Sequence, residues 1–400
     1  MAMYALINKE TLHAICEAKK VTCAYIARET KCAEDRIEKW SNPSDALRPT
    51  FVQAKKIAKC LHVPFAGLYM RPADVPLYKL PKIKSYRTFP NGFIEDDSSL
   101  NIAIADLLHA RDFLMKTKEE LGEAVLPFSV TISSREDDVL GWADEIRREF
   151  DLNLDTQFRA TSMRQFYLYV RQQIESRGVF IHCFSDVDLD IARGIAFYDD
   201  KTPIIGINEE DHPPAKTFSI IHELTHLLKR QSSLCNEMYD AFSANQEEVF
   251  CNAVAGEVLV PQDALRVVLK KWKSDDVFFS IDDIQGIANR FSVSKEVILR
   301  RLLDIRCIKH PAYVAYIDEC RRILEQERAE QKIARKEGRA TVFVQPPDRK
   351  AIDRTSSALC MTLYKGYSEE LFSKQDISRY LGISQQYISK FLQEVSSWHS

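Results

Sequence analysis

The 400-residue chain has no long hydrophobic run, because no stretch approaches the roughly eighteen apolar residues that a membrane-spanning helix needs. Its first residues, Met1–Lys9, also lack the charged start and the apolar middle of a secretory signal peptide. Both absences argue against a membrane or secreted protein. We therefore expect a soluble, cytoplasmic chain without a membrane partner.

The ten cysteines include no Cys-x-x-Cys pair. Most of them, such as Cys60, Cys183 and Cys251, lie among apolar neighbours. This usage excludes a metal knuckle and a disulfide framework, and it predicts reduced core residues of a cytoplasmic protein.

The chain also lacks a large excess of either charge, since 55 basic and 58 acidic residues give a formal net charge of −3. Proteins that bind nucleic acid or membrane surfaces without specificity usually carry a clear positive excess. Such a role is excluded for the chain as a whole. Its length exceeds that of one small core and predicts two to four units.

The most informative stretch is Phe218–Leu228, which contains the motif His222-Glu223-x-x-His226. Residues four apart share one face of an α-helix, so both imidazoles can bind one metal ion. Glu223 directly follows His222 on this helix. Its carboxylate can accept a proton from water and donate it to a leaving amine. Aliphatic neighbours favour a buried helix. The alternative is a pair of core histidines that hydrogen-bond to backbone carbonyls.

A second buried helix is predicted within Asn245–Pro261, and it offers a third ligand. Glu248 is the candidate, because a buried acid needs a partner. Asn252 lies four residues further on the same face, where its side chain can hydrogen-bond the free ring nitrogen of a ligating histidine. Glu247, one position round, is the alternative ligand.

Two histidines and one glutamate are the ligand set of zinc peptidases that keep a fourth position open for water. The metzincin pattern continues with a glycine and a third histidine, but Lys229 and Ser232 stand at those positions. The predicted cofactor is one zinc ion.

Three segments carry a resemblance to a known family: Pro203-Ile-Ile-Gly-Ile-Asn208, His222-Glu-Leu-Thr-His-Leu-Leu228 and Glu248-x-x-x-Asn252-x-x-Ala255-x-x-x-Leu259-x-Pro261. Together they resemble the ImmA/IrrE family of metallo-endopeptidases, most closely over residues 195–261. Cys251 replaces the family's usual alanine and Val260 its common methionine. We interpret both departures as packing changes that do not touch the chemistry.

The resemblance implies a zinc endopeptidase with a zincin-like (gluzincin) catalytic unit. It implies His222, His226 and Glu248 as metal ligands and Glu223 as the catalytic residue. Members of the family are bacterial and phage-associated enzymes that cleave helix-turn-helix repressors. The implied substrate is thus a repressor of that kind, from phage, mobile-element, stress or toxin–antitoxin regulation.

Residues 1–72 resemble an XRE-type helix-turn-helix domain, with helical patterns at about 10–19, 22–29, 33–40 and 49–61. This unit has twelve basic and seven acidic residues on an otherwise acidic chain. Its candidate recognition helix nevertheless begins Glu34-Asp35-Arg36, and carboxylates there repel DNA phosphates. Two roles stay open: sequence-specific DNA binding, and docking on the peptidase or on a repressor.

Residues 73–134 are predicted to form a proline-rich linker followed by a long helix over about 101–122. The metallopeptidase domain follows at 135–310. Within it, helices are predicted at 136–150 and 162–176, and strands at 179–184, 194–198 and 203–208.

The last predicted strand should form the edge of a small sheet beside the metal-binding helix, where a substrate can add as a further strand. We assign this edge to Ile205–Asn208. Asn208 then either contacts the bound peptide or caps the end of the strand.

The C-terminal unit, residues 311–400, has a charged helical pattern at 313–339 and two short helices joined at Gly382. The second feature resembles the tail of longer family members, and its side chains can meet DNA or protein. Helix-turn-helix spacing also occurs at 284–302, which we interpret as a packing segment that closes the peptidase unit.

The predicted fold class is α+β and mostly helical, with a central zincin-like unit, a small β-sheet and flanking helix-turn-helix-like modules. The predicted function is zinc-dependent hydrolysis of a peptide bond in a protein. The alternative is a DNA-binding transcriptional regulator with a vestigial or ligand-sensing peptidase-like domain. Tyr198, Tyr239 and Arg230 are chemically able to stabilise an oxyanion, and the sequence does not choose among them.

Overall fold

A computed structural model describes residues 3–77, 80, 84–85, 98–125, 127–135, 137–235, 246–272, 279–336 and 345–399. The helices in the first part of the chain are α1 (Lys9–Ala18), α2 (Cys23–Thr30), α3 (Glu34–Ser41), α4 (Phe51–Cys60), α5 (Ser98–Glu120), α6 (Val139–Glu149), α7 (Leu154–Arg159) and α8 (Met163–Glu175). The later helices are α9 (Pro213–Leu228), α10 (Gln246–Leu259), α11 (Gln262–Trp272), α12 (Ile281–Phe291), α13 (Lys295–Asp304), α14 (His310–Lys336), α15 (Pro347–Arg354), α16 (Ser357–Ser368), α17 (Lys374–Leu381) and α18 (Ile388–Ser396).

A small mixed sheet lies at the centre of this mostly helical α+β fold. Its strands are β1 (Lys84–Ser85), β2 (Phe180–Phe184), β3 (Gly194–Phe197), β4 (Ile204–Asn208) and β5 (Ser233–Cys235), in the order β1-β5-β3-β4-β2. Strand β2 runs parallel to β4 and β1 parallel to β5, whereas β3 is antiparallel to both β4 and β5. The three strands predicted from the sequence are confirmed.

The prediction that Ile205–Asn208 forms the sheet edge is wrong. Strand β4 is hydrogen-bonded on both sides, with Ile205 opposite Ile181 of β2 and opposite Ala196 of β3. All five residues of β4 are buried. An apolar strand covered on both faces gives no alternation from which its place in a sheet can be predicted.

Both faces of the sheet are covered, and alternate residues along each strand point to opposite sides. Ala196, Ile205 and Ile207 belong to a core that also contains apolar residues of α6, α8, α9, α10, α12 and α13. Ile195 and Ile204 belong to a second core, with apolar residues of α5 and of α15–α18. The sheet therefore separates helix α9, which carries the His-Glu-x-x-His motif, from the long helix α5.

Hydrogen bonds and a buried ion pair connect helices α12 and α13 to the end of α10. The Gln157 amide donates hydrogen bonds to the carbonyls of Leu259 (2.8 Å) and Phe291 (2.7 Å). The Arg301 guanidinium donates to the carbonyl of Val260 (3.1 Å) and forms a buried ion pair with Glu257. These contacts fit the interpretation of residues 284–302 as a segment that closes the peptidase unit.

The C-terminal residues share a core with the sheet. Arg171 of α8 is buried, and its guanidinium donates to the carbonyls of Asp353 (2.6 Å) and Ile352 (3.2 Å) at the end of α15. Apolar residues of α15–α18 pack with those of α5. The sequence analysis gave no helix at α7, α15 or α16, which are short or lie between stronger patterns.

The N-terminal helices α1–α4 enclose a core of their own, and the four predicted helices are confirmed. Ile102 of α5 packs into this core, and polar groups add further contacts with α5: Lys19 pairs with Asp106 (3.2 Å), and the ring of His62 lies 2.5 Å from the same carboxylate. Glu34 and Asp35 are exposed at the start of α3. None of the helices in the described ranges is both long and apolar enough to cross a membrane.

Candidate metal centre

Helix α9 carries both histidines of the motif through the middle of the protein. Two prolines at its first positions suit a helix start, where no backbone N–H is required. Every residue from Thr217 to Leu228 is buried. The helix lies between the sheet on one side and α8 and α10 on the other, so the motif is shielded from water.

Three side chains meet at one point between α9 and α10. Nε2 of His222 lies 3.2 Å from one Glu248 carboxylate oxygen, and Nε2 of His226 lies 3.0 Å from the other. The two Nε2 atoms are 3.2 Å apart. Among the His, Cys, Asp and Glu side chains of the described residues, these three have ligand atoms close enough together to hold a metal ion.

The spacing of these ligand atoms suits a zinc ion. In a tetrahedral site with zinc–ligand bonds of about 2.0–2.2 Å, neighbouring ligand atoms are roughly 3.3–3.6 Å apart. The observed separations of 3.0–3.2 Å, which join the two Nε2 atoms to each other and to the two Glu248 oxygens, are close to this spacing. Two imidazoles and a carboxylate are also donors that zinc accepts, and three protein ligands leave a fourth position free.

The electrostatics of the site favour a positive charge between the two rings. Burial by itself raises the pKa of the Glu248 carboxyl, but hydrogen bonds from His222 and His226 outweigh burial and hold this pKa well below its ordinary range. Burial lowers the pKa of His222, yet its hydrogen bond to Glu248 and that carboxylate's charge raise the pKa overall. A bound cation would replace the proton in the hydrogen bond between His222 and Glu248.

Asn252 orients one of the rings. Its Oδ1 lies 2.8 Å from Nδ1 of His222, and both side chains are buried. Because Oδ1 can only accept, Nδ1 donates this hydrogen bond, and Nε2 is the nitrogen of the neutral ring that can bind a metal. The hydrogen bond predicted for Asn252 from its position on α10 is present.

Cys251 lies against the second ring, with its Sγ 3.7 Å from Nδ1 of His226. The sulfur is fully buried, and burial raises the pKa of the thiol well above its ordinary value. Cys251 is thus a core residue that packs directly against the candidate site, and the prediction that it leaves the chemistry unchanged stays a prediction. Its sulfur contacts one of the two histidines that face the metal position.

The structure distinguishes between the two acids on α10. Glu247 forms an ion pair with Lys229 (3.2 Å) at the end of α9, outside the cluster of ligand atoms. Glu248, one position round, faces both imidazoles. A rotation of about 100° between successive helical residues explains why only one of them reaches the rings.

Glu223 is fully buried next to the two histidines. Its Oε2 accepts a hydrogen bond from the Ser233 hydroxyl at 2.7 Å. Its Oε1 is buried and has no hydrogen-bond partner among the described residues. An orphaned carboxylate oxygen beside a donor set of this kind fits a proton acceptor for water at a metal site.

Other sequence-predicted residues do not join the cluster. The Asn208 amide is fully buried and donates to the carbonyls of Val187 and Ala192 (both 2.8 Å), while its oxygen accepts from the Glu210 N–H. These contacts match a role at the end of the strand. The amide N–H groups and the oxygen of Asn208, with which it would bind a peptide, are already engaged in them.

Among the three candidate oxyanion stabilisers, Tyr198 donates its hydroxyl proton to Asp200 (2.7 Å). Arg230 is exposed just after α9. Tyr239 lies outside the described residues. Two residues that the sequence analysis did not select, Ser233 and Gly194, lie against Glu223 instead, and no local pattern marks them because strand pairing brings them there.

Comparison with known proteins agrees with this geometry. A buried His-Glu-x-x-His helix with a glutamate from the next helix defines a zincin-like metallopeptidase site. Residues 183–303 match the family model Peptidase_M78, the IrrE N-terminal-like domain. The chain thus contains a metallopeptidase domain of the ImmA/IrrE type. Searches of curated proteins and of solved structures return no significant match.

Proposed function

We propose that the protein is a zinc-dependent endopeptidase in which His222, His226 and Glu248 hold the metal. The observation that carries this proposal is the cluster of the two Nε2 atoms and the Glu248 carboxylate, with contacts of 3.0–3.2 Å, beside the orphaned Glu223 oxygen. The family match over 183–303 supports the same chemistry.

In the proposed reaction, a zinc ion held by these residues would act as a Lewis acid, which would polarise the scissile carbonyl and lower the pKa of a water molecule. Oε1 of Glu223 accepts the proton of the attacking water and then delivers it to the leaving nitrogen. Asn252 keeps the His222 ring in the tautomer that the site requires. Burial of these groups strengthens each electrostatic contact.

We propose a helix-turn-helix repressor as the substrate, on the basis of the family resemblance. The test compares protein N-termini across host cells that express wild-type protein or Glu223→Gln. The expected result is a new N-terminus in one or a few proteins, absent from the Glu223→Gln cells, with at least one inside a helix-turn-helix protein. Identical N-termini in both cultures would contradict the peptidase proposal.

A second candidate function, DNA binding by the C-terminal module, is favoured by the exposed face of its last helix. Helices α17 and α18 are joined at Gly382, which has the left-handed φ of +67° that a tight helix-turn-helix turn uses. The side chains exposed at the start and along α18 are Gln385, Gln386, Ser389, Lys390 and Gln393. They include no carboxylate, unlike the exposed start of α3.

Amide side chains of this kind read adenine edges in the major groove. The test uses Glu223→Gln protein to select duplexes from a random-sequence pool, followed by fluorescence anisotropy. We expect Gln385→Ala with Gln386→Ala to weaken the selected duplex about tenfold or more. Replacement of Glu34 and Asp35 by their amides is the control and should not weaken it. No enrichment of any sequence would exclude this candidate.

We propose that the chain is organised as residues 1–72, 73–134, 135–310 and 311–400. We make one adjustment, in which the start of α14, about residues 310–320, is assigned to the catalytic unit. The start of α14 packs on the peptidase core through Tyr313, Tyr316 and Ile317. Limited proteolysis should therefore release the N-terminal module before it separates residues 310–320 from the catalytic unit.

A further inference from the structure

The carboxylate of Glu223 lies between α9 and the sheet, and two sheet residues shape the space around it. In the antiparallel pair of β3 and β5, Gly194 lies opposite Cys235 and Ala196 lies opposite Ser233. Alternate residues of a strand share a face, so Gly194, Ala196 and Ser233 point to the same side. Ala196 packs in the core that contains α9, which identifies this side as the one beneath Glu223.

Ser233 binds one of the two carboxylate oxygens. Its hydroxyl and Glu223 are both fully buried, and the hydrogen bond to Oε2 is 2.7 Å long. A hydrogen bond to a charged acceptor is stronger than one between neutral groups, and exclusion of water strengthens it further. The bond restricts the rotation of the carboxylate and leaves Oε1 as its unpartnered atom.

Gly194 leaves the volume that the carboxylate occupies. Its backbone does not require glycine, because it is not among the glycines of the described residues with positive φ. A Cβ at this position would overlap Oε1 of Glu223 and would lie 2.9 Å from its Cγ and 3.0 Å from its Cδ. The neighbour that excludes a side chain here is therefore the Glu223 carboxylate itself.

We propose that Ser233 and Gly194 are positioning residues for Glu223. Ser233 anchors Oε2, and the absence of a side chain at Gly194 gives Oε1 the place from which it accepts a proton. This inference rests on the proposed function, because it explains how the proton-accepting carboxylate is aimed.

The test uses cobalt(II)-loaded full-length protein, since tetrahedral cobalt gives a visible absorption spectrum that reports on its ligands. Ser233→Ala removes the anchor, and Gly194→Ala fills the space. Gly206→Ala is the matched control for the second change. Gly206 is also a strand glycine, but its added Cβ would meet Leu107 and would lie 3.3 Å from Phe184 Cδ1, away from Glu223.

Thr30→Val is the control for the loss of a buried hydroxyl, because the Thr30 hydroxyl binds only the Ile26 carbonyl in the N-terminal module. Each variant is titrated from about pH 5 to 9 while its spectrum and its metal content are measured. Thermal unfolding of each protein confirms that it is folded. Two independent variants keep the test valid when one of them unfolds.

We expect Ser233→Ala and Gly194→Ala to keep one metal ion per chain. In both variants, the pH at the midpoint of the cobalt spectral change should differ from that of the wild type by about one pH unit. The two controls should keep the wild-type midpoint. Bound metal with wild-type midpoints in both test variants would overturn the positioning roles and leave the proposed function intact. Failure of wild-type protein to bind cobalt or zinc would overturn the proposed function and this inference together.

Discussion

Oδ1 of Asn252 lies 2.8 Å from Nδ1 of His222, and Glu248 faces the Nε2 of the same ring from one helical turn earlier on α10. One helix therefore supplies both a metal donor and the group that orients another donor. The arrangement requires spacing of four residues on α10 and the close packing of α10 against α9.

Asn252→Ala should weaken zinc binding about ten- to a hundredfold, because the His222 ring loses the acceptor that holds its tautomer and orientation. The measurement is a competition titration against a fluorescent zinc chelator. Asn289→Ala, at an exposed position of α12, is the control. Equal zinc affinity in both variants would refute the role of this hydrogen bond.

Glu248→Gln should empty the site, whereas Glu247→Gln should retain one zinc ion per chain. Only Glu248 faces the imidazoles, while Glu247 pairs with Lys229. Elemental analysis of both proteins beside His222→Ala measures the stoichiometry. Loss of zinc from Glu247→Gln alone would reverse the assignment of the third ligand.

Metal-free protein should gain most from the His222–Glu248 contact between about pH 4.5 and 6.5. The folded-state pKa of His222 is raised from 6.5, so its contribution to the free energy of unfolding is complete below 6.5 and is lost as pH rises through the raised value. The folded-state pKa of Glu248 is lowered from 4.5, so its contribution is complete above 4.5 and is lost as pH falls through the lowered value.

Urea denaturation of metal-free protein across this pH range measures the effect, and Glu248→Gln should flatten the profile. Zinc affinity should behave differently, since protons compete with the metal for the imidazoles and affinity falls as pH falls. A metal-free profile that is the same in wild type and Glu248→Gln would contradict this account.

Arg301→Ala should lower the free energy of unfolding by about 3–5 kcal/mol, because it leaves the Glu257 carboxylate buried without its partner. Arg322→Ala removes an exposed ion pair with Glu319 and should leave the free energy of unfolding nearly unchanged, because water screens exposed charges. Urea denaturation followed by circular dichroism compares the two. Similar losses in both would show that burial of the Glu257–Arg301 pair is not what matters.

Helix α9 and its neighbours were predictable because their signals are local. A period of 3.6 residues placed His222 and His226 on one face, and the same period placed Asn252 with Glu248. The short apolar runs ending at Phe184 and Asn208 predicted strands correctly. Short helices such as α7 and α15 were missed because so few residues give little periodic signal.

The sequence by itself determined the two histidines of the candidate metal centre and narrowed the third ligand to Glu247 or Glu248, since the helical period relates side chains only within each segment. The packing of α10 against α9 then brought Glu248, and not Glu247, to the two rings. Only the tertiary structure decided that β4 lies inside the sheet and that Cys251 contacts His226. It also decided that the Asn208 amide donates its hydrogen bonds to backbone carbonyls. It alone also brought Ser233 and Gly194 to Glu223. These relationships arise from strand order and from the packing of distant segments, which no local pattern of residues encodes.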